Sequence, residues 1–140
     1  MTRFELINKL KDIAKHKPNI NFVGEGDIYE LNHLPNIEYS VFYITQDTHQ
    51  VSENTAQYTL NLFYIDRLTD TENNRLIIQS NGIDAITNIV NELVFTEDVD
   101  IEYPLSFTPF YQRFADDCSG VFCTITFNTD NNLGVCSYEW

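Results

Sequence analysis

Gln57-Tyr58-Thr59-Leu60-Asn61-Leu62-Phe63-Tyr64-Ile65 alternates as a pleated strand does, with Tyr58, Leu60, Leu62 and Tyr64 falling on one face. That face is expected to be buried. The opposite face begins polar at Thr59 and Asn61 and turns apolar at Phe63 and Ile65, so the far end of the strand should be covered on both sides. A polar break follows over residues 66–74, and from about Glu72 the apolar spacing becomes helical. Leu76, Ile83, Ile86, Val90 and Leu93 recur at steps of three, four or seven, and Ile78, Ala85 and Ile89 widen the stripe. Asp70 or Thr71 is the expected N-cap, where a side-chain oxygen satisfies amides left free in the first turn. A helix over 72–93 is roughly 33 Å long at ~1.5 Å per residue. A strand and a helix of that length can carry a small domain.

Working toward the N-terminus, Phe4, Leu6, Ile7, Leu10, Ile13 and Ala14 have helical spacing, Thr2 and Glu5 form a capping-box pattern, and Pro18 stops the helix. Residues 20–29 are short and turn-rich around Gly24-Glu25-Gly26-Asp27 and are expected to be a loop. With no lysine and no strong helix after it, this Gly-x-Gly is not a phosphate loop. Leu34-Pro35-Asn36-Ile37 leads into Glu38-Tyr39-Ser40-Val41-Phe42-Tyr43-Ile44, whose apolar density on both faces predicts a central strand.

Between the two strands lies a polar stretch, residues 46–56, longer than the two to five residues typical of a hairpin loop. It is expected to be a surface that orders against a partner, the alternative being a loop that only connects. Asp47, Thr48, His49, Gln50, Val51, Ser52, Glu53 and Asn54, together with Lys9 and Lys15 of the first helix, are the candidate oligomer interface. A solvated face is the simpler reading of the lysines; docking on an acidic neighbour is the sharper one.

Beyond the long helix, residues 95–103 are acidic. Pro104 and Pro109 mark an edge strand with Phe107, Phe110, Tyr111 and Phe114. Asp116-Asp117-Cys118-Ser119-Gly120 is expected as a turn or bulge, 121–127 as the last main strand, 128–134 as turn, and 135–140 as a short returning strand. The order α, β, β, α, β, β predicts a single α+β domain over residues 1–140, a mixed and largely antiparallel sheet with two helices packed on one face. The expected core is Leu6, Leu10, Ile13, Val41, Tyr43, Leu60, Leu62, Ile83, Ile86, Val90, Leu93, Cys123 and Ile125.

Composition bounds the function. The chain has 140 residues, 43% hydrophobic and 14% aromatic, enough for one folded domain without disulfides. No apolar run reaches the roughly 18 residues a membrane helix needs, and charged residues stand where a signal peptide has its apolar region, so no membrane association and synthesis in the cytoplasm are expected. The formal charge of −13 is uneven: five of the eight basic residues and only two acids precede Pro18, a net +3 that leaves −16 for the rest. So acidic a body repels nucleic acid, which argues against sequence-specific binding. An acidic surface can still face DNA where DNA must slide past without sticking.

The chemistry-bearing residues form no recognised set. Cys118 and Cys123 are five apart, Cys136 lies thirteen further on, and His16, His33 and His49 are scattered, so neither a metal nor another cofactor is expected. Cys123 and Cys136 could face each other only in one hairpin register, and buried thiols are the better reading. The adjacent acids of Asp116-Asp117 and Glu97-Asp98 point to opposite faces of a strand and cannot share a substrate oxygen; a dyad partner such as Asp66 is not selected by anything in the sequence. No Gly-x-Ser-x-Gly, catalytic Cys with a nearby His, or phosphate loop is present, so an enzyme, such as a small hydrolase, is the weaker class.

The pattern as a whole resembles the tail terminator and neck-joining (head-tail connector) proteins of tailed bacteriophages, and its Asn-rich, aromatic-rich wording is similar to neck ring proteins of crAss-like phages. The matching pieces are a first helix over 4–16, Leu34-Pro35-Asn36-Ile37 running into a strand over 39–44, the polar stretch 46–56, the alternating strand 57–65, the helix 72–93, and Arg113-Phe114-Ala115-Asp116-Asp117-Cys118-Ser119-Gly120 closing into 121–127. Residues 128–140 continue past where many such proteins end, and 20–33 is unusually glycine-rich and acidic. The resemblance implies a structural virion protein, without catalytic or cofactor-binding residues, that forms a homo-oligomeric ring around the DNA channel between capsid and tail. Its implied partners are portal-adaptor, neck or tail proteins, and DNA would pass through its lumen. The alternative from the residues alone is an acidic cytosolic domain that binds a protein partner.

Overall fold

The computed structural model describes residues 2–27, 38–52, 55–68, 73–97, 99–113 and 117–130. They form α1 (Arg3–Lys15), β1 (Phe22–Glu25), β2 (Val41–Val51), β3 (Thr55–Arg67), α2 (Asn73–Thr96), β4 (Asp100–Ile101), β5 (Phe107–Arg113) and β6 (Asp117–Asp130). The expected lead-in Leu34-Pro35-Asn36-Ile37, the Asp70 or Thr71 cap, Cys136 and the returning strand over 135–140 lie outside the described residues.

β3 is the middle of the sheet. It runs antiparallel to β6 along its whole length, from Thr55 opposite Asp130 to Arg67 opposite Cys118, and antiparallel to β2 on its other side, from Ile65 opposite Val41 to Ala56 opposite Val51. β1 adds outside β2 in parallel, and β6 carries two strands on its outer side, β5 against 117–123 and β4 against Phe127 and Asn128. The result is a mixed six-stranded sheet in an α+β domain, with the two helices on one face. β5 is an edge strand, so Pro109 can sit opposite Val121 although it has no amide hydrogen to donate.

The helix-covered face is built as the alternation predicts. Tyr58, Leu60, Leu62 and Tyr64 of β3 lie beside Val121, Cys123, Ile125 and Phe127 of β6, all buried, beneath Leu6, Ile7, Leu10 and Ala14 of α1 and Ile78, Ala85, Ile86, Ile89, Val90 and Leu93 of α2. Phe63 and Ile65 turn to the opposite face, where they join Val41, Tyr43, Cys118, Phe22, Tyr39 and Phe110 in a second, smaller cluster. Phe63 stacks on Phe122 at 5.2 Å between ring centroids and meets Phe110 edge-on at 5.9 Å. The far end of β3 is thus covered on both sides, by helices on one face and by aromatic side chains of the sheet itself on the other.

Several expectations are corrected. Residues 22–25 are a strand rather than loop, because Asn21 and Gly26 donate to the Ser40 and Ile44 carbonyls and hold the segment alongside β2. Gly24 is small for packing reasons: a Cβ there would lie 2.9 Å from the Tyr43 ring. Residues 117–120 and 128–130 are strand rather than turn, because β3 offers β6 a partner over its full length and β5 pairs the other edge of 117–120. On α2 the expected stripe is buried at Ile78, Ala85, Ile86, Ile89, Val90 and Leu93, but Leu76 is 66% and Ile83 is 39% exposed, while Gly82 faces the sheet. A Cβ on Gly82 would sit 2.7 Å from Val121 Cγ2 and 2.9 Å from Tyr64 Cδ1, so the helix approaches the sheet at its smallest residue. Ile13 is only half-buried, whereas Val41 and Tyr43 are buried as expected, in the second cluster.

These burials predict that Ile86→Ala costs about 2 to 5 kcal/mol, the range for emptying an enclosed aliphatic site. Ile83→Ala should cost under ~1 kcal/mol, as its side chain already meets solvent. Urea unfolding of the two variants checks this, and equal losses would show that the helix is rotated from the orientation described.

Candidate assembly arm and the groove at its base

The polar stretch is not a loop. β2 continues to Val51 and β3 begins at Thr55, so 46–51 pairs with 56–60 of β3, whose other edge pairs with 125–129 of β6, and stands as the outer strand of the sheet there. The side chains of Gln46, Asp47, Thr48, His49, Gln50 and Val51 are all exposed. β1 pairs with β2 only along 41–44, so among the described residues the outer edge of 45–51 has no neighbouring strand. Ser52 closes the end, its amide and hydroxyl both donating to the Thr55 carbonyl at 2.8 and 3.0 Å. Glu53 and Asn54 lie outside the described residues.

Polar sequence forms a strand here because its hydrogen bonds are made locally. On the open face, Asn61 Nδ2 donates to Thr45 Oγ1 at 3.1 Å, its Oδ1 accepts from Thr124 Oγ1 at 2.6 Å, and the hydroxyls of Thr59 and Thr126 meet at 3.1 Å. These rungs tie β2, β3 and β6 together at the base of the arm with no charge involved. Cross-strand pairs of this kind contribute roughly 0.2 to 1 kcal/mol each. A bulge between Gln46 and His49 then inserts one extra residue, since three steps along β2 match two along β3 from Leu60 to Tyr58. The inserted residue re-aims the arm, placing His49 over Tyr58 with ring centroids 4.5 Å apart on the helix-covered face.

His49 and Gln46 thereby form one wall of a groove of about 480 Å³, whose other wall is the first two turns of α1 with Arg3, Phe4, Ile7 and Lys11. α1 starts there because Thr2 caps it: its Oγ1 accepts the Glu5 amide at 3.1 Å and donates to Glu5 Oε1 at 3.2 Å. Phe4, assigned by its spacing to the buried stripe, is instead 77% exposed at the groove's rim. The spacing misleads because Phe4 lies on the flank shared with Asn8, Lys11 and Lys15, outside the arc of Leu6, Leu10 and Ala14.

The two lysines proposed for an interface part company. Lys9 turns inward, its Nζ 2.7 Å from Glu97 Oε1 at the end of α2, and Lys17 likewise lies 2.9 Å from Glu92. Both pairs are partly exposed, so each contributes at most about 1 kcal/mol and mainly orients α1 on α2. Lys15 is exposed, on the flank that carries Phe4 and Lys11. Arg3, Phe4, Lys11 and Gln46 were not among the sequence-derived site residues; an aromatic among lysines on the outer flank of α1 was their signal.

Among the described residues, no three His, Cys, Asp or Glu side chains come together in a metal-binding group. Cys118 and Cys123 are buried and in no disulfide among the described residues, Cys118 in the second cluster and Cys123 beneath the helices, where burial pushes its thiol up. Asp66, at the end of β3 away from the arm, has its carboxyl raised above the usual range by burial, against which the Arg67 amide at 2.8 Å and the Arg67 charge act. Compared with known proteins, the chain matches no protein-family model and no curated protein.

Asp66 yields a pH prediction with a definite sign. A carboxyl raised on folding destabilises the fold when ionised, so the penalty is full above its folded value and fades as pH falls toward the ordinary carboxylate range. Asp66→Asn, which keeps an acceptor for the Arg67 amide, should therefore raise the melting temperature at pH 7 and lose that advantage at pH 3. An unchanged or lower melting temperature at pH 7 would show that the ionised form is the better accommodated one.

Proposed function

We propose that this chain is a structural subunit of a tailed-phage virion, assembling as a homo-oligomeric ring in the neck or tail around the channel through which DNA passes. The observation that carries the reading is the arm: a bulged outer strand over 46–51 whose side chains all face solvent and whose outer edge pairs with no strand among the described residues. A monomeric domain gains little by ordering this strand, because fixing each residue's backbone costs about 1 to 2 kcal/mol and its own side chains bury little in return. Seated against a neighbouring copy, it gains the missing burial and a partner for its open edge.

The charge distribution supports the same reading. A chain of net charge −13 repels DNA phosphates, which suits a channel wall that DNA must pass without adhering. The fold resembles in order and layering what the sequence resemblance to tail terminator and neck ring proteins leads one to expect, with the arm standing where those proteins' long polar stretch was matched. Its place is then the virion, after synthesis in the host cytoplasm, and its neighbours are portal-adaptor, neck or tail proteins.

Two measurements test this. Native mass of the purified chain should give multiples of 16.3 kDa at high concentration, and purified particles should contain the chain in fixed stoichiometry. Replacing residues 48–54 by a short Gly-Ser turn should leave the melting temperature within a few degrees of the parent while abolishing assembly or incorporation. Normal assembly of the shortened chain would make the arm a mere connection and overturn the reading of it.

A further inference from the structure

The two lateral edges of the domain carry opposite charge, and among the described residues each presents exposed side chains. At the β1 and β2 edge, one flank of α1 presents Lys11 and Lys15 beside the exposed ring of Phe4, and Arg3 joins Phe4 and Lys11 in lining the groove whose other wall is Gln46 and His49. One acid, Glu25, lines that groove. At the opposite edge, β4 is the last strand beyond β6; Asp100 and Glu102 are exposed there, and Tyr103 follows at 66% exposure. The Glu102 amide still bonds the Thr126 carbonyl at 3.3 Å, which holds the acidic segment in line with the sheet. Lys9 and Lys17, by contrast, are already matched by Glu97 and Glu92 within the chain.

We infer that the groove between α1 and the base of the arm receives the Asp100–Glu102–Tyr103 edge of a second copy, so that copies join head to tail, basic flank to acidic edge. The inference rests on the ring reading above and specifies its lateral contact. Charge complementarity selects the occupant: Arg3, Lys11 and Lys15, which no ion pair matches among the described residues, attract acids, and the rest of this chain is acidic. Two different patches meeting make a heterologous contact, and a heterologous contact repeated by rotation closes a ring, whereas a single self-complementary patch would stop at a dimer. Phe4 and Tyr103, both large and exposed, supply the apolar and aromatic contact that charges alone do not.

Charge reversal tests it on the full-length chain. Arg3→Glu with Lys11→Glu sets an acidic groove against an acidic edge, and Asp100→Lys with Glu102→Lys sets a basic edge against a basic groove. Each double variant alone should fold, as judged by circular dichroism and melting temperature, and should weaken self-association about 100-fold or more in sedimentation velocity. An equimolar mixture should restore assemblies, because in alternating order every contact again pairs opposite charges. Should either double variant unfold, the parent chain gives the same information: raising salt from 50 mM to 1 M should shift it toward monomer. Assembly of either variant at the parent's strength, a folded mixture that stays monomeric, or parent assembly indifferent to salt overturns this contact while leaving the ring reading in place. A parent chain that is monomeric at every concentration and salt overturns both.

Discussion

Every other element depends on the antiparallel ladder between β3 and β6. Those strands pair without interruption from Thr55 opposite Asp130 to Arg67 opposite Cys118, and their alternating side chains make the floor on which both helices rest. The ladder also sets where everything else can go. β2 must pair with the free side of β3, and β4 and β5 must share the free side of β6. Because a strand's side chains have a period of two, a slip of one residue would move Tyr58, Leu60, Leu62 and Tyr64 to the wrong face at once, so the burial of that set enforces the register. Gly82 completes the lock, letting α2 approach Tyr64 and Val121 closely enough to exclude water above the ladder.

The arm is the outer strand of the sheet carried past its own buried residues. Apolar burial sustains β2 up to Ile44, whereas β3 stays buried on its helix-covered face through Leu60, Tyr58 and Ala56; 46–51 is held to it by backbone hydrogen bonds, next to the amide and hydroxyl rungs at Thr45, Asn61 and Thr124. The bulge before His49 gives the extension its direction, turning the imidazole onto Tyr58 and toward α1. A hairpin built this way keeps its direction while remaining free on its outer edge, the combination that an intersubunit element requires. The basic flank of α1 lies beside its base, so both proposed contact surfaces belong to one corner of the molecule.

The periodic parts of this structure were legible because burial and period coincide there. The alternation of β3, the two-sided cover at Phe63 and Ile65, the Thr2 cap and the layering of two helices on one face could all be read from residue order. Three features could not, each for a physical reason. β1 looks like a turn because its glycine, Gly24, serves packing against Tyr43 and its strand character comes from pairing with β2, a partner distant in sequence. The arm reads as loop because it is polar on both faces, and hydrophobic patterning carries no signal where neither face is buried. Leu76 and Ile83 read as buried because a glycine lies at the centre of the buried face of α2, so a stripe drawn through them looks the more hydrophobic. The groove at the arm's base combines α1 with a bulge that no local pattern announces, which is why Arg3, Phe4, Lys11 and Gln46 escaped selection while His49 did not.

The central claim is that residues 45–51 form an ordered strand with a free outer edge that a second copy covers. Amide hydrogen exchange followed at peptide level over a concentration series tests this most directly. In dilute solution the segment should be partly protected, through its bonds to β3 alone, and protection should rise on assembly as the outer edge is covered. Exchange at the rate of an unstructured chain in the dilute state, or protection that stays the same once assemblies form, would contradict the account.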